Sequence, residues 1–215
     1  MSEDLLSKLE TSIVEFDTDL AETLIKQAQK EGISPQDLLN AISNALNKVG
    51  ELYETHEYFL SELMLAGDTA KTAIDLLKPY IEETDTQLLG TIVFGTVKED
   101  IHDIGKTIVS SFMVGAGFMV HDLGVEVSAE KFVDAVRKYK PDIVAMSALL
   151  STTREHMRDI ITALKDAGLR DSVKIIVGGR PVTSEFAREI GADATATNPV
   201  DAIEICKKWI AEKNK

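Results

Sequence analysis

The chain has 215 residues, 44% hydrophobic and 27% charged, which suits one large or two small packed domains. Its formal net charge of −13 disfavours nucleic acid as a partner, because so negative a surface repels phosphate backbones. No run approaches the roughly 20 apolar residues of a membrane helix, and the start, MSEDLLSKLE, has neither the basic nor the apolar region of a signal peptide. A single cysteine, Cys206, allows no disulfide within the chain and fits a reducing compartment. The expectation is a soluble, cytoplasmic protein with no membrane association.

In chain order, residues 1–88 read as helical, with four predicted helices at about 3–14, 17–31, 35–55 and 59–78. Ser34-Pro35 with Asp37 opens the third as N-cap and first-turn proline, and Gly32 closes the second. Four helices with short connections predict a small bundle. After Pro79 the chain turns acidic through Glu82-Glu83-Thr84-Asp85-Thr86, which reads as a linker.

From residue 88 short apolar runs alternate with amphipathic helices. Strands are expected at 88–94, 119–123, 143–146, 175–177 and 192–196, and helices at 104–115, 128–139, 153–167, 182–190 and 200–212. This alternation predicts an α/β fold, a Rossmann- or flavodoxin-like five-stranded parallel sheet with helices on both faces. The domains expected are a helical cap, residues 1–88, and an α/β domain, residues 89–215. Open parallel sheets bind ligands beyond the carboxyl ends of their strands, where strand order reverses.

The loop after the first strand, Thr96-Val97-Lys98-Glu99-Asp100-Ile101-His102-Asp103-Ile104-Gly105-Lys106, places His102 at that crevice. An imidazole binds a metal through one nitrogen while the other donates to a carboxylate, and Asp100 and Asp103 are both candidates for that role. Gly105 leaves room for a bulky ligand near the backbone. No second histidine or cysteine nearby completes a four-ligand site, so a metal on His102 must bring most of its own ligands, as a macrocycle does. His121 reads as structural, and His56 and His156 as exposed helix residues.

The sequence Asp100-Ile101-His102-Asp103-Ile104-Gly105 matches the Asp-x-His-x-x-Gly signature of cobalamin-binding domains. Ser147-Ala148-Leu149 and Gly178-Gly179 match at the expected spacing after strands three and four. With the helical cap, the chain resembles the B12 module of methionine synthase. It is closer still to the small corrinoid proteins of methyltransferase systems for methanol, methylamines, betaines or methoxy-aromatics. The resemblance implies cobalamin (methylcobalamin or a related corrinoid) as cofactor, with His102 as lower axial cobalt ligand in place of the cofactor's own base. Asp100 would hold the other ring nitrogen, and Thr153 would complete a His–Asp–hydroxyl relay. Glu99, Ile101, Asp103, Gly105 and Leu149 would border the cofactor. Ser147, Ser151, Gly178, Gly179, Asn198 and Pro199 would line the crevice for its nucleotide tail. Tyr53, Leu60, Leu63 and Met64 of the cap would cover the upper face.

The resemblance further implies a methyl carrier, a component of a system and not a complete catalyst. Its partners would be a substrate-specific methyltransferase, a second methyltransferase that accepts the methyl group, and a reductive activase. The alternative is a B12-dependent sensor or regulatory module. Such regulators need a DNA-binding domain, and residues 1–88 offer no basic recognition helix. A receiver- or flavodoxin-like domain without corrinoid would fit the alternation but neither the cap nor the three motifs.

Overall fold

A computed structural model describes residues 2–83 and 88–213 of the chain. Two compact units emerge, one of Met1–Leu88 with Ser111–Gly117, the other of Leu89–Ser110 with Phe118–Lys215.

The first unit holds α1 (Ser2–Val14), α2 (Thr18–Glu31), α3 (Pro35–Glu54) and α4 (Leu60–Glu83). Helix α1 packs on α2 and α3, and α4 packs on the same two. Their apolar stripes, including Leu9, Ile13, Ile25, Leu38, Ile42, Leu46, Ile74 and Leu77, are buried. The predicted caps form. Ser34 Oγ accepts from Asp37 N at 3.1 Å, and Gly32 adopts φ +71° with its amide bonded to the end of α2. Tyr58 donates its hydroxyl to Val14 O at 3.0 Å, tying the α3–α4 connection to α1.

Helix α4 does not stop before Pro79, as the sequence suggests, but continues to Glu83. A proline removes one helical hydrogen bond and crowds the preceding turn. Here the turn beyond it is anchored by tertiary contact, since Tyr80 donates to Ile33 O at 3.1 Å. Glu82 and Glu83 of the expected linker therefore belong to a helix; Thr84, Asp85 and Thr86 lie outside the described residues.

The second unit is a five-stranded, all-parallel sheet of β1 (Thr91–Thr96), β2 (Met119–Asp122), β3 (Ile143–Ser147), β4 (Lys174–Gly178) and β5 (Ala194–Ala196), in the order β2-β1-β3-β4-β5. Alternate residues Val93, Val144, Met146, Ile175 and Val177 form one buried face with α6 (Ala129–Tyr139), α7 (His156–Asp166) and α8 (Ser184–Ile190). Residues between them, Ile92, Phe94, Ile143, Ala145 and Ile176, are buried too, so both faces are covered. The unit also holds the first part of α5 (Ile104–Gly115), up to Ser110, a 3-10 turn at Arg170–Ser172, and α9 (Pro199–Lys213). Cys206 lies fully buried in α9, as expected of a packing residue, and burial pushes its thiol up to about 12.

Strand β1 lies later than its apolar run suggests. Leu88 is half-buried and Leu89 exposed, while the strand extends through Gly95 and Thr96. Gly95 reads as a strand end but is a close approach, since a Cβ there would sit 2.9 Å from Phe132. Gly179, just past β4, has φ +116°, and a Cβ there would overlap the Ala148 carbonyl oxygen and approach its carbon to 2.9 Å. Gly179→Ala is therefore expected to cost at least about 2 kcal/mol of stability, combining backbone strain and overpacking. Urea denaturation of the purified protein measures this.

Candidate functional site

The strand order reverses between β1 and β3, so the loops following these strands lie side by side at the carboxyl edge of the sheet. Asp100 joins them. Its side chain is fully buried and accepts four hydrogen bonds. Two come from its own loop onto Oδ1, from His102 N at 3.0 Å and from His102 Nδ1 at 2.8 Å. Two come from the loop after β3 onto Oδ2, from Leu149 N at 2.8 Å and Thr153 Oγ1 at 2.6 Å. Burial alone raises a carboxyl's pKa. The four hydrogen bonds outweigh it and hold Asp100 well below the usual carboxylate range. Between the two candidate carboxylates, Asp100 is thus the one bonded to the ring, while Asp103 is exposed and gives its carbonyl to Thr107 N at the start of α5.

An ionised Asp100 only accepts, so His102 Nδ1 is the donor, and in the neutral ring the lone pair lies on Nε2. The backbone at His102 is held as well, since buried Thr96 donates its hydroxyl to His102 O at 3.1 Å. The histidine side chain itself is 46% exposed. The result is an imidazole whose Nδ1 is held by Asp100 while its side chain stays half-exposed.

Four large apolar side chains flank this nitrogen's loop and are exposed: Ile101, Ile104, Leu149 and Leu150, the first at 67%. Apolar surface grouped in this way marks a binding face. Gly105 lies among them. It has no left-handed φ, and a Cβ there would meet nothing within 4 Å, so the space beside it is open. Among the described residues no cluster of three or more His, Cys, Asp or Glu could hold a metal ion. The donor set fits a metal that arrives in a broad apolar macrocycle and takes one axial nitrogen from the protein.

Ser147 ends β3, half-buried, and Ser151 is exposed in the turn that follows. The structure starts α7 at His156, so Thr153 lies in that turn and not on the helix, which lets its hydroxyl reach inward to Asp100. Gly178 closes β4, and a Cβ there would sit 3.2 Å from Ala196 O. Asn198 caps α9, with Oδ1 accepting from Asp201 N and Nδ2 donating to Asp201 Oδ2, each at 2.9 Å. Pro199 is the buried first residue of that helix. In the helical unit Leu63 is fully buried, Tyr53 and Met64 are half-buried, and Leu60 is exposed beside Phe59.

Several partners were not legible in the sequence. Lys106, in the first turn of α5, is buried and donates to Asp122 Oδ2 at 2.5 Å, tying α5 to the end of β2. His121 is structural, as expected: it stacks on Tyr139 at 3.8 Å, and burial together with Lys138 lowers its pKa. Two histidines depart from expectation. His56 is exposed but lies in the turn after α3 with φ +62°, not within a helix. His156 opens α7, yet its side chain is only 23% exposed and lies against Glu99 and Asp159.

Fold and site together define a doubly wound α/β domain, preceded in the chain by a four-helix unit, with one histidine oriented by a buried carboxylate at the carboxyl edge of its sheet. The sequence comparisons assign the family: residues 90–204 match a B12 binding domain, and residues 5–78 match a second model also described as a B12 binding domain. The chain belongs to the B12-binding domain family, and its cofactor is a corrinoid. It is 38% identical over 213 residues to dimethylamine corrinoid protein 2 of Methanosarcina acetivorans, covering 98% of each chain. It is 39% identical over 204 residues to the trimethylamine corrinoid protein of Methanosarcina barkeri, covering 94% of each. Among solved structures, a cobalamin-binding protein from Desulfitobacterium hafniense aligns at TM-score 0.75 and 33% identity, over 95% of this chain and 98% of that one. The methanol:cobalamin methyltransferase complex of Methanosarcina barkeri aligns at TM-score 0.84 and 28% identity, over 98% of this chain and 81% of that one. Among the described residues no helix is long and apolar enough to cross a membrane.

Proposed function

We propose that this chain is a corrinoid-bound methyl carrier, with a helical cap of residues 1–88 and a cobalamin-binding domain of residues 89–215. The observation that carries the reading is Asp100, buried and four times hydrogen-bonded, holding Nδ1 of a half-exposed His102. The bound corrinoid supplies the metal that takes up a methyl group from one partner and gives it to another. The protein's part is to bind and tune it.

His102 would hold the corrinoid's metal through Nε2. Asp100 and Thr153 keep the proton on Nδ1, which maintains the basicity of Nε2. Ile101, Ile104, Leu149 and Leu150 give the macrocycle an apolar seat, while Glu99, Asp103 and Gly105 border it. Ser147, Ser151, Gly178, Gly179, Asn198 and Pro199 line the course of the nucleotide tail. Tyr53, Leu60, Leu63 and Met64 are the proposed apolar cover for the other face, a role supported by family resemblance.

Its partners are a substrate-specific methyltransferase, a second methyltransferase as acceptor, and a reductive activase, all in the cytoplasm. High-coverage similarity to methylamine corrinoid proteins supports a methylated amine as the methyl source. The test is reconstitution with hydroxocobalamin, followed by methyl-transfer assays with methyltransferases for tri-, di- and monomethylamine and for methanol. A histidine-ligated absorption spectrum and turnover with an amine methyltransferase are expected. Failure to retain corrinoid through gel filtration would overturn the reading.

A further inference from the structure

Glu99 immediately precedes Asp100 and adopts φ +64° in a turn closed by Asp100 N donating to Val97 O at 3.2 Å. Its Oε2 lies 3.6 Å from Nε2 of His156, and Nδ1 of the same ring lies 3.0 Å from Asp159 Oδ2. His156 is the first residue of α7, and its amide donates to Thr153 O at 3.1 Å. Thr153 in turn donates to Asp100. One side chain therefore reaches from the turn that carries Thr153 to the loop that carries Asp100 and His102.

Both ring nitrogens of His156 face carboxylates, Asp159 one turn along its own helix and Glu99 on the loop after β1. The first contact is local to α7. The second joins two loops.

We propose that His156 is a positioning residue for the metal-ligand loop: by clasping Glu99 it keeps Asp100 and His102 aligned for axial ligation. This rests on the reading of His102 as cobalt ligand. The pair is exposed on the Glu99 side, at 65%, so its effect is modest and salt-sensitive.

The experiment loads wild type, H156A, H156K, E99N, E99N/H156A and H102A with hydroxocobalamin. It reads cofactor affinity by titration and axial ligation by absorption spectrum, at low and high salt. H156A should weaken affinity about 2- to 5-fold at low salt and lower the histidine-ligated fraction. The deficit should shrink at high salt. H156K, which keeps a cation near Glu99, should recover most of the loss. Asparagine tolerates the left-handed backbone, so E99N removes the carboxylate with little strain, and adding H156A to it should change nothing further. The inference is overturned if H156A matches wild type, if H156K fails to recover, or if H156A costs as much in the E99N background. H102A separates the two levels. If it leaves the axial bands unchanged, the ligand assignment itself fails; if it abolishes them while H156A matches wild type, only the clasp fails.

Discussion

Replacing His102 with alanine is expected to convert the spectrum of the corrinoid-loaded protein from a histidine-ligated to a water- or base-ligated form. Cofactor affinity should fall by about 10- to 100-fold or more, since loss of groups that merely orient a metal ligand already costs that much. Apo-protein stability should hardly change. The ring is 46% exposed, and its side chain contributes one of the four hydrogen bonds to Asp100. Absorption titration with hydroxocobalamin measures the first two effects, and urea denaturation of the apo form the third. A variant that binds cofactor with wild-type axial bands would remove His102 from the role assigned to it.

Asp100→Ala should do the opposite to the apo-protein. It removes the acceptor of the His102 and Leu149 amides, while the hydroxyl of buried Thr153 keeps Leu150 O as acceptor at 3.1 Å. Unpaired buried donors cost about 1–3 kcal/mol each. With two part-buried amides affected, the expected loss is about 2–4 kcal/mol in urea denaturation, together with weaker corrinoid binding as His102 loses its orientation. Asp100→Asn isolates the charge. The folded-state pKa of Asp100 lies below its ordinary value of 3.8, so the folded protein releases this proton more readily than the unfolded chain. The stability it contributes is complete above that ordinary value and declines as pH falls below it toward the folded-state pKa. An asparagine has no such titration. The acid limb of stability against pH should be shallower in D100N than in wild type over that window, with the two curves parallel at neutral pH. Parallel curves throughout would show that Asp100 does not ionise as the geometry requires.

Much of the fold was legible because it rests on local chemistry. Ser34 and Gly32 end their helices by side-chain and backbone rules that act within four residues. The alternation of apolar runs with amphipathic segments marked the parallel sheet to within a few residues. Errors arose where a distant contact overrode a local signal. Helix α4 runs through Pro79 where Tyr80 reaches Ile33. Strand β1 extends through Gly95, which lies against Phe132 of α6. Helix α7 starts at His156 and not at residue 153 because Thr153 turns inward to Asp100.

The sequence by itself determined that His102 sits on a crevice loop, that Asp100 or Asp103 could orient it, and that any metal there must bring most of its ligands. It also carried the spaced motifs that place the chain in the B12-binding family. Only the tertiary structure decided between the two carboxylates, supplied Leu149 N and Thr96 as further supports, and brought His156 to Glu99. The reason is geometric. Periodicity and capping are read along a single segment. The bonds that orient His102 join loops about 50 residues apart, and these become neighbours only when β1 and β3 pair.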